Sequence, residues 1–279
     1  MEPRVGRTLV DTLQLDKTFL VLDRLQRVEP DLIVVRGSAA VYAHAPSLAR
    51  VPNDLDVFWL GDHDDIRRVL AAAAAPNGDG RLETRQLRVV PPPHPLHVAL
   101  HRADVLVWDA GAPVHRLWVD VSTSPYTVPS SLRTVPVASR AGTTARVATI
   151  AHVLCEKLWV YHESAEPTRT DLRWTDLFDM LVLLRSSVDL QNTTLRGLAL
   201  DCRQYFVTRG GALPTALGPP PREWRSAWAR LVGPVARRNP TLDAAFGALH
   251  RFWEPVLRAG ARGGRGGSRR WHPEPWEWQ

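Results

Sequence analysis

The chain has two cysteines and two lysines in 279 residues, and each scarcity excludes something. Cys155 and Cys202 fall in helix-like segments, outside any Cys-x-x-Cys spacing. That rules out a disulfide framework and a cysteine zinc site, and it predicts two buried thiols in a reducing cytoplasm. No apolar run approaches the roughly 20 residues that span a bilayer, and the N-terminus lacks the apolar core of a signal peptide. A soluble, cytoplasmic protein without a membrane role is the expectation. There is no Gly-x₄-Gly-Lys-Ser/Thr loop and no recognisable Ser-His-Asp or Cys-His arrangement. The absences argue against a P-loop ATPase, a signature-bearing kinase or a nucleophilic hydrolase. Lone histidines such as His44 and His152 read as packing or surface residues.

What is present is arginine. Net charge is +6 and the isoelectric point is near 10.0, which favours a polyanionic partner such as nucleic acid. A GC-rich coding bias would give the same composition. Against that background the two lysines, Lys17 and Lys157, stand out. Lys157 lies inside a helix-like apolar run, where a lysine invites a specific role. Hydrophobic content of 44% and this length suit one large domain or two moderate ones.

Apolar spacing predicts a helix over 8–28, a strand over 32–36, a short helix near 38–45 and a strand over 54–60. A helix over 62–75 ends at Pro76-Asn-Gly-Asp-Gly. Strand-like pieces recur around 84–90, 97–108 and 115–123. From about residue 143 the pattern turns helical: 145–163, 173–186, 192–208, 222–232 and 240–258. Strands first and helices second predict an α+β chain. Residues 1–142 form a first lobe with a mixed β-sheet, and 143–258 form an all-helical lobe. The Gly/Arg-rich segment 259–279 reads as a disordered tail, because Gly and Arg bury too little apolar surface to order themselves.

The most informative pattern is Gly37-Ser38 at the end of an apolar run, followed by Asp54-Leu55-Asp56 in a second one. Residues two apart in a strand share a face, so Asp54 and Asp56 can converge on one hard cation. A turn rich in N–H donors at a helix start can hold a phosphate beside it. A phosphate cradle and metal carboxylates are the minimal equipment for nucleotidyl transfer. Read alone, the same residues are also a helix-capping serine and two solvated acids.

Three ordered segments resemble the AbiEii/AbiGii family of nucleotidyltransferase-like toxins, which have the polymerase-β-type nucleotidyltransferase fold. They are Val35-Arg-Gly-Ser-Ala-Ala-Val-Tyr with Arg50-Val-Pro-Asn-Asp-Leu-Asp-Val, then Ala151-His-Val-Leu-Cys-Glu-Lys-Leu-Trp-Val-Tyr, then Arg173-Trp-Thr-Asp-Leu-Phe-Asp-Met-Leu. A weaker echo follows in Pro221-Arg-Glu-Trp and Phe252-Trp-Glu-Pro. The likeness runs over residues 15–258. Pro52 stands where many relatives offer Ser or Thr, and Thr175 where a Lys is common.

The resemblance implies a Mg²⁺-dependent enzyme (Mn²⁺ as substitute) that moves NMP from an NTP to an RNA acceptor, the tRNA 3′ end first among them. It also implies a toxin of a toxin–antitoxin or phage-defence pair with a cognate antitoxin. Asp54 and Asp56 would hold the metal, and Gly37 and Ser38 the phosphates. Lys157 and Arg173 would contact the nucleotide, while Asp176 or Asp179 would touch it or pair with Lys157 or Arg173; a structural ion pair tying the two helices together is the plain alternative. Asp120 is the candidate third carboxylate, with Asp104 its competitor. Two other readings stand: an antibiotic-type nucleotidyltransferase acting on a small hydroxylated substrate, and a degenerate relative that binds RNA or protein without chemistry.

Overall fold

The computed structural model describes residues 9–75, 81–90, 100–109, 111–123, 133–136, 144–163, 174–186, 190, 193–230, 237–239, 241–264, 267–274 and 276–279. The chain divides into two units, one of residues 1–46 and 50–149, the other of 47–49 and 150–279.

In the first unit, helix α1 (Leu9–Val28) precedes strand β1 (Ile33–Val35), helix α2 (Gly37–His44) and strand β2 (Asp54–Trp59). Helix α3 (Ile66–Ala74) leads into β3 (Arg81–Val90), β4 (Leu100–Asp109), β5 (Ala112–Thr123), β6 (Arg133–Pro136) and β7 (Thr144–Val147). The strands form one seven-stranded sheet in the order β3-β4-β5-β2-β1-β7-β6. It is mixed: β2 runs parallel to β5 and β1 parallel to β7, and the other neighbours are antiparallel.

Alternation along the strands assigns the two faces. Leu55, Val57, Val119 and Val121 are buried, and Val57 and Val121 meet Leu25 of α1 and Ile66, Val69 and Leu70 of α3 around one small apolar pocket. The other face carries Asp54, Asp56, Trp118, Asp120 and Arg102, which the register sets side by side. Burial of the first face fixes the register of the second, since a slip of one residue would exchange them.

Two expectations for the secondary structure need correction. The spacing predicts that residues 145–147 open a long helix, but they belong to β7, where Val147 pairs with Val35 and Ala148 N–H donates to the Val35 carbonyl. Helix α4 starts only at Ile150. The run Thr-Ala-Arg-Val is short enough that a waiting sheet edge outweighs its weak helix preference. Strand β6, which pairs antiparallel with β7, was not anticipated at all.

The second unit is helical: α4 (Ile150–Glu163), α5 (Trp174–Ser186), α6 (Leu195–Thr208), α7 (Trp224–Trp228) and α8 (Leu242–Ala261). Thr194 and Thr241 cap α6 and α8, accepting from Gly197 N–H and Ala244 N–H, as N-cap threonines do. Cys155 of α4 and Cys202 of α6 are free, buried thiols whose sulfurs lie 2.7 Å apart.

The described part of 259–279 is ordered, contrary to the expectation of a disordered tail. Residues 259–261 complete α8, and a small hairpin follows, β8 (Trp271–His272) with β9 (Glu277–Trp278). Trp271 and Trp278 are buried, with their rings 4.8 and 5.1 Å from Phe252 of α8. The Trp271 indole donates to the Leu184 carbonyl and the Trp278 indole to that of Phe252. Tryptophan buries more surface than any other side chain and wants a partner for its N–H; these two receive both. The Gly/Arg composition hid three tryptophans that anchor the segment.

Candidate active site

Gly37 begins α2 with φ of +60°, a left-handed conformation that suits glycine. A Cβ there would stand 2.2 Å from Asp56 Oδ2. The turn is therefore a cradle for the Asp56 carboxylate, and any other residue would push that carboxylate away. The link is reinforced by the backbone, since Arg36 N–H donates to the Asp56 carbonyl at 2.9 Å. Ser38 follows, buried, with its hydroxyl donating to Asp54 Oδ1 over 3.3 Å. Gly37 and Ser38 thus each touch one carboxylate of the Asp-x-Asp pair. Helix α2 is buried from Gly37 to Ala43, which fixes its first turn against β2. Pro52, just before β2, accepts a hydrogen bond from the Gln14 side chain at its carbonyl.

Asp120 stands directly opposite Asp56 in the parallel β2·β5 ladder, so the two share a face. Its carboxylate is buried and held by Arg102 through both oxygens, at 2.7 Å from Nε and 2.5 Å from Nη2. That hydrogen-bonded pair raises the Arg102 pKa against the cost of its burial, and the charges of Asp120, Asp56 and Asp54 add to the effect. Arg102 is thus placed within the field of all three acids. Asp104 is engaged in the same way by Arg116, at 2.8 and 2.7 Å. In the ladder Asp104 faces Trp118, while Asp120 faces Asp56.

Among the described residues, no three acids, histidines or cysteines come together as a metal-binding group. Two carboxylates on one face still fit a hard cation such as Mg²⁺, which is commonly held by one or two carboxylates with substrate phosphates and water. The glycine cradle against Asp56 fits that use, because it holds one ligand in place with no side chain in the way.

In the helical unit, Lys157 of α4 lies 2.7 Å from Asp176 Oδ1 and 2.9 Å from Asp179 Oδ2, both on α5. All three are buried. Burial by itself would lower the lysine pKa, but the two carboxylates outweigh it and hold the ammonium charged well above its ordinary range. Two of the three ammonium donors thus have carboxylate partners on α5, which ties α4 to that helix. Arg173 lies outside the described residues. His44 Nε2 meets the Ala148 carbonyl, and His152 stacks edge-on against Tyr205.

Arg102, Arg116 and Trp118 were not anticipated from sequence. Their signal is cross-strand register, which motif spacing does not contain.

A family model described as nucleotidyl transferase AbiEii toxin, type IV toxin–antitoxin system, matches residues 20–251. No curated protein matches the chain. Among solved structures, JHP933 from Helicobacter pylori is similar at 16% identity and TM-score 0.52, over 90% of this chain and 96% of that one. A second H. pylori protein, named as a candidate nucleotidyltransferase, matches at 16% identity and TM-score 0.50, over 91% and 94%. The antibiotic-resistance factor ANT(2″)-Ia is more distant, at 14% identity and TM-score 0.41, over 70% and 94%. The cradle-and-carboxylate geometry and the family match together place this chain in the AbiEii family of nucleotidyltransferase toxins.

Proposed function

We propose that the protein transfers NMP from an NTP to an RNA acceptor, the tRNA 3′ end foremost, in a Mg²⁺-dependent reaction that releases pyrophosphate. The observation that carries this reading is the group of acids on one sheet face, Asp54 and Asp56 with Asp120 opposite Asp56, with Gly37 packed against Asp56 and Ser38 bonded to Asp54. Asp54 and Asp56 would hold the metal, and Mn²⁺ would substitute. When bound, the cation supplies charge neutralisation at the triphosphate and orientation for in-line attack. The N–H groups of the first turn of α2 would receive the β- and γ-phosphates, as unpaired amides at a helix start do. Ser38 would position Asp54 through its hydroxyl.

Asp120 would take the proton of the attacking acceptor hydroxyl, with Arg102 holding its carboxylate in orientation until then. Lys157, Asp176 and Asp179 would keep α4 fixed on α5. The toxin family supports a cognate antitoxin as partner and growth arrest, in phage defence or otherwise, as the outcome. No described helix is long and apolar enough to cross a membrane.

The test uses total RNA and each α-labelled NTP, with and without Mg²⁺, beside the variants Asp54→Asn and Asp56→Asn. Label should pass to RNA only with the cation, and each variant should lose about 10³-fold or more, the scale of removing a group that acts in the transition state. Equal labelling by wild type and variants would overturn the reading.

A further inference from the structure

We infer that the sheet face beside the carboxylates is a binding platform for the single-stranded end of the acceptor RNA, built from Trp118 with Arg88, Arg102 and Arg116. The inference rests on the nucleotidyl-transfer reading for its orientation and adds to it a located acceptor surface.

The register places these residues. Across β2, β5, β4 and β3, Asp56 stands opposite Asp120, Asp120 opposite Arg102, and Arg102 opposite Arg88. The neighbouring row runs Asp54, Trp118, Asp104, Gln86. The acids therefore merge, strand by strand, into an arginine-rich surface with one indole at its centre. Guanidinium carbons of Arg88, Arg102 and Arg116 lie 5.7, 5.8 and 5.5 Å from the Trp118 ring centre, within cation–π range. Strands about 4.8 Å apart put Arg88 about 14 Å from Asp56 along the row, a span that accommodates a few nucleotides.

The chemistry of the cluster fits nucleic acid. Trp118 is half-buried and Arg88 and Arg116 are exposed, so ring and donors reach solvent. Asp120 and Asp104 each take the Nε/Nη2 edge of an arginine. That locks the guanidinium plane and leaves its Nη1 donors on the opposite side. Rigid, oriented guanidinium planes around an indole provide stacking surfaces for bases and donors for phosphates, the combination that binds single strands. A cationic small acceptor would meet like charge here. The net charge of +6 agrees with an anionic partner, and the position beside Asp54 and Asp56 gives the strand a direction. Its terminal hydroxyl would lie at the acids and its preceding nucleotides over Trp118.

Binding of a labelled single-stranded RNA of about 12 nucleotides, measured by fluorescence anisotropy without NTP or metal, tests this independently of catalysis. Trp118→Ala should weaken binding about tenfold, the loss expected for one stacked base, and Trp118→Phe should restore most of it. Arg88→Ala, at an exposed position with no carboxylate partner among the described residues, should reduce the salt dependence by about one phosphate contact. The corresponding RNA duplex should bind less tightly and respond less to Trp118→Ala. Wild-type affinity in both variants would overturn the platform, as would a polyglutamate competitor that displaces RNA as well as unlabelled RNA does. Trp118-dependent binding with no NMP transfer would remove the enzymatic reading and leave the platform; transfer with Trp118-independent binding would do the reverse.

Discussion

The two charged clusters of this protein are built on opposite principles. On the sheet, Asp54 and Asp56 sit partly exposed on an open face, steadied by a glycine and a serine that do not neutralise them. In the helical unit, Asp176 and Asp179 are buried and matched by Lys157 at hydrogen-bond distance. The first arrangement keeps acid charge accessible to something that arrives later. The second closes charge upon itself. Sequence motifs alone make the two look equivalent, as acids at short spacing near a basic residue; burial separates them.

The largest effect should come from breaking the tie. Lys157→Met leaves two buried carboxylates without their cation, and loss of one partner of a buried pair costs about 3–5 kcal/mol. The urea midpoint should fall accordingly, with transfer by the remaining folded protein intact. Unchanged stability with abolished transfer would move Lys157 from tie to nucleotide contact and erase the contrast. The sign of its pH dependence follows from its raised pKa. Its contribution is complete below the lysine's ordinary value of 10.5, and fades only as pH rises through the higher value in the folded protein.

Gly37→Ala sharpens the other side. The added methyl would lie 2.2 Å from Asp56 Oδ2 in a left-handed backbone, so the carboxylate or the turn must move by about an ångström. Misplacement of that size costs about 10²-fold in rate, which kcat/KM for NMP transfer would report. Full activity in this variant would mean that Asp56 need not be held where the cradle puts it.

The smallest effect separates the two faces of the same sheet. His115 of β5 has its pKa lowered, first by burial and then by the positive charge of Lys17. The unfolded chain therefore binds this proton more readily than the folded one. Stability from a neutral His115 is present above its ordinary 6.5 and is lost as pH falls through its folded value. In His115→Asn the acid slope of Tm should be shallower by about 2 °C per pH unit. An unchanged slope would show that this position is wet, like the acids across the sheet.

Much of the fold was legible. The N-terminal helix, the Gly-Ser turn, the Asp-x-Asp strand and the helical second half follow from apolar spacing and turn residues, because those signals are local. Strands β6 and β7 escaped because a four-residue strand has little pattern of its own and exists through its neighbours. The C-terminal hairpin escaped because glycine and arginine dominate its composition, while three tryptophans decide its energy. Within the site, Asp54, Asp56, Gly37 and Ser38 were readable from spacing, and Asp120 only as one of two choices.

Arg102 shows where reading stops. Counting back from the Asp109–Ala112 pair without interruption would place Arg102 opposite Val119, with its side chain on the wrong face for Asp120. The bulge between Val107 and Trp108, which leaves Val114 unmatched, shifts the pairing by one and brings Arg102 onto Asp120. Sequence by itself determined which residues can carry charge at a strand end, since residue type and a period of two are written in the chain. Which of those charges face one another, which are left accessible and which are buried in pairs was decided by tertiary structure. Register, bulges and helix packing depend on the burial of all the other side chains at once.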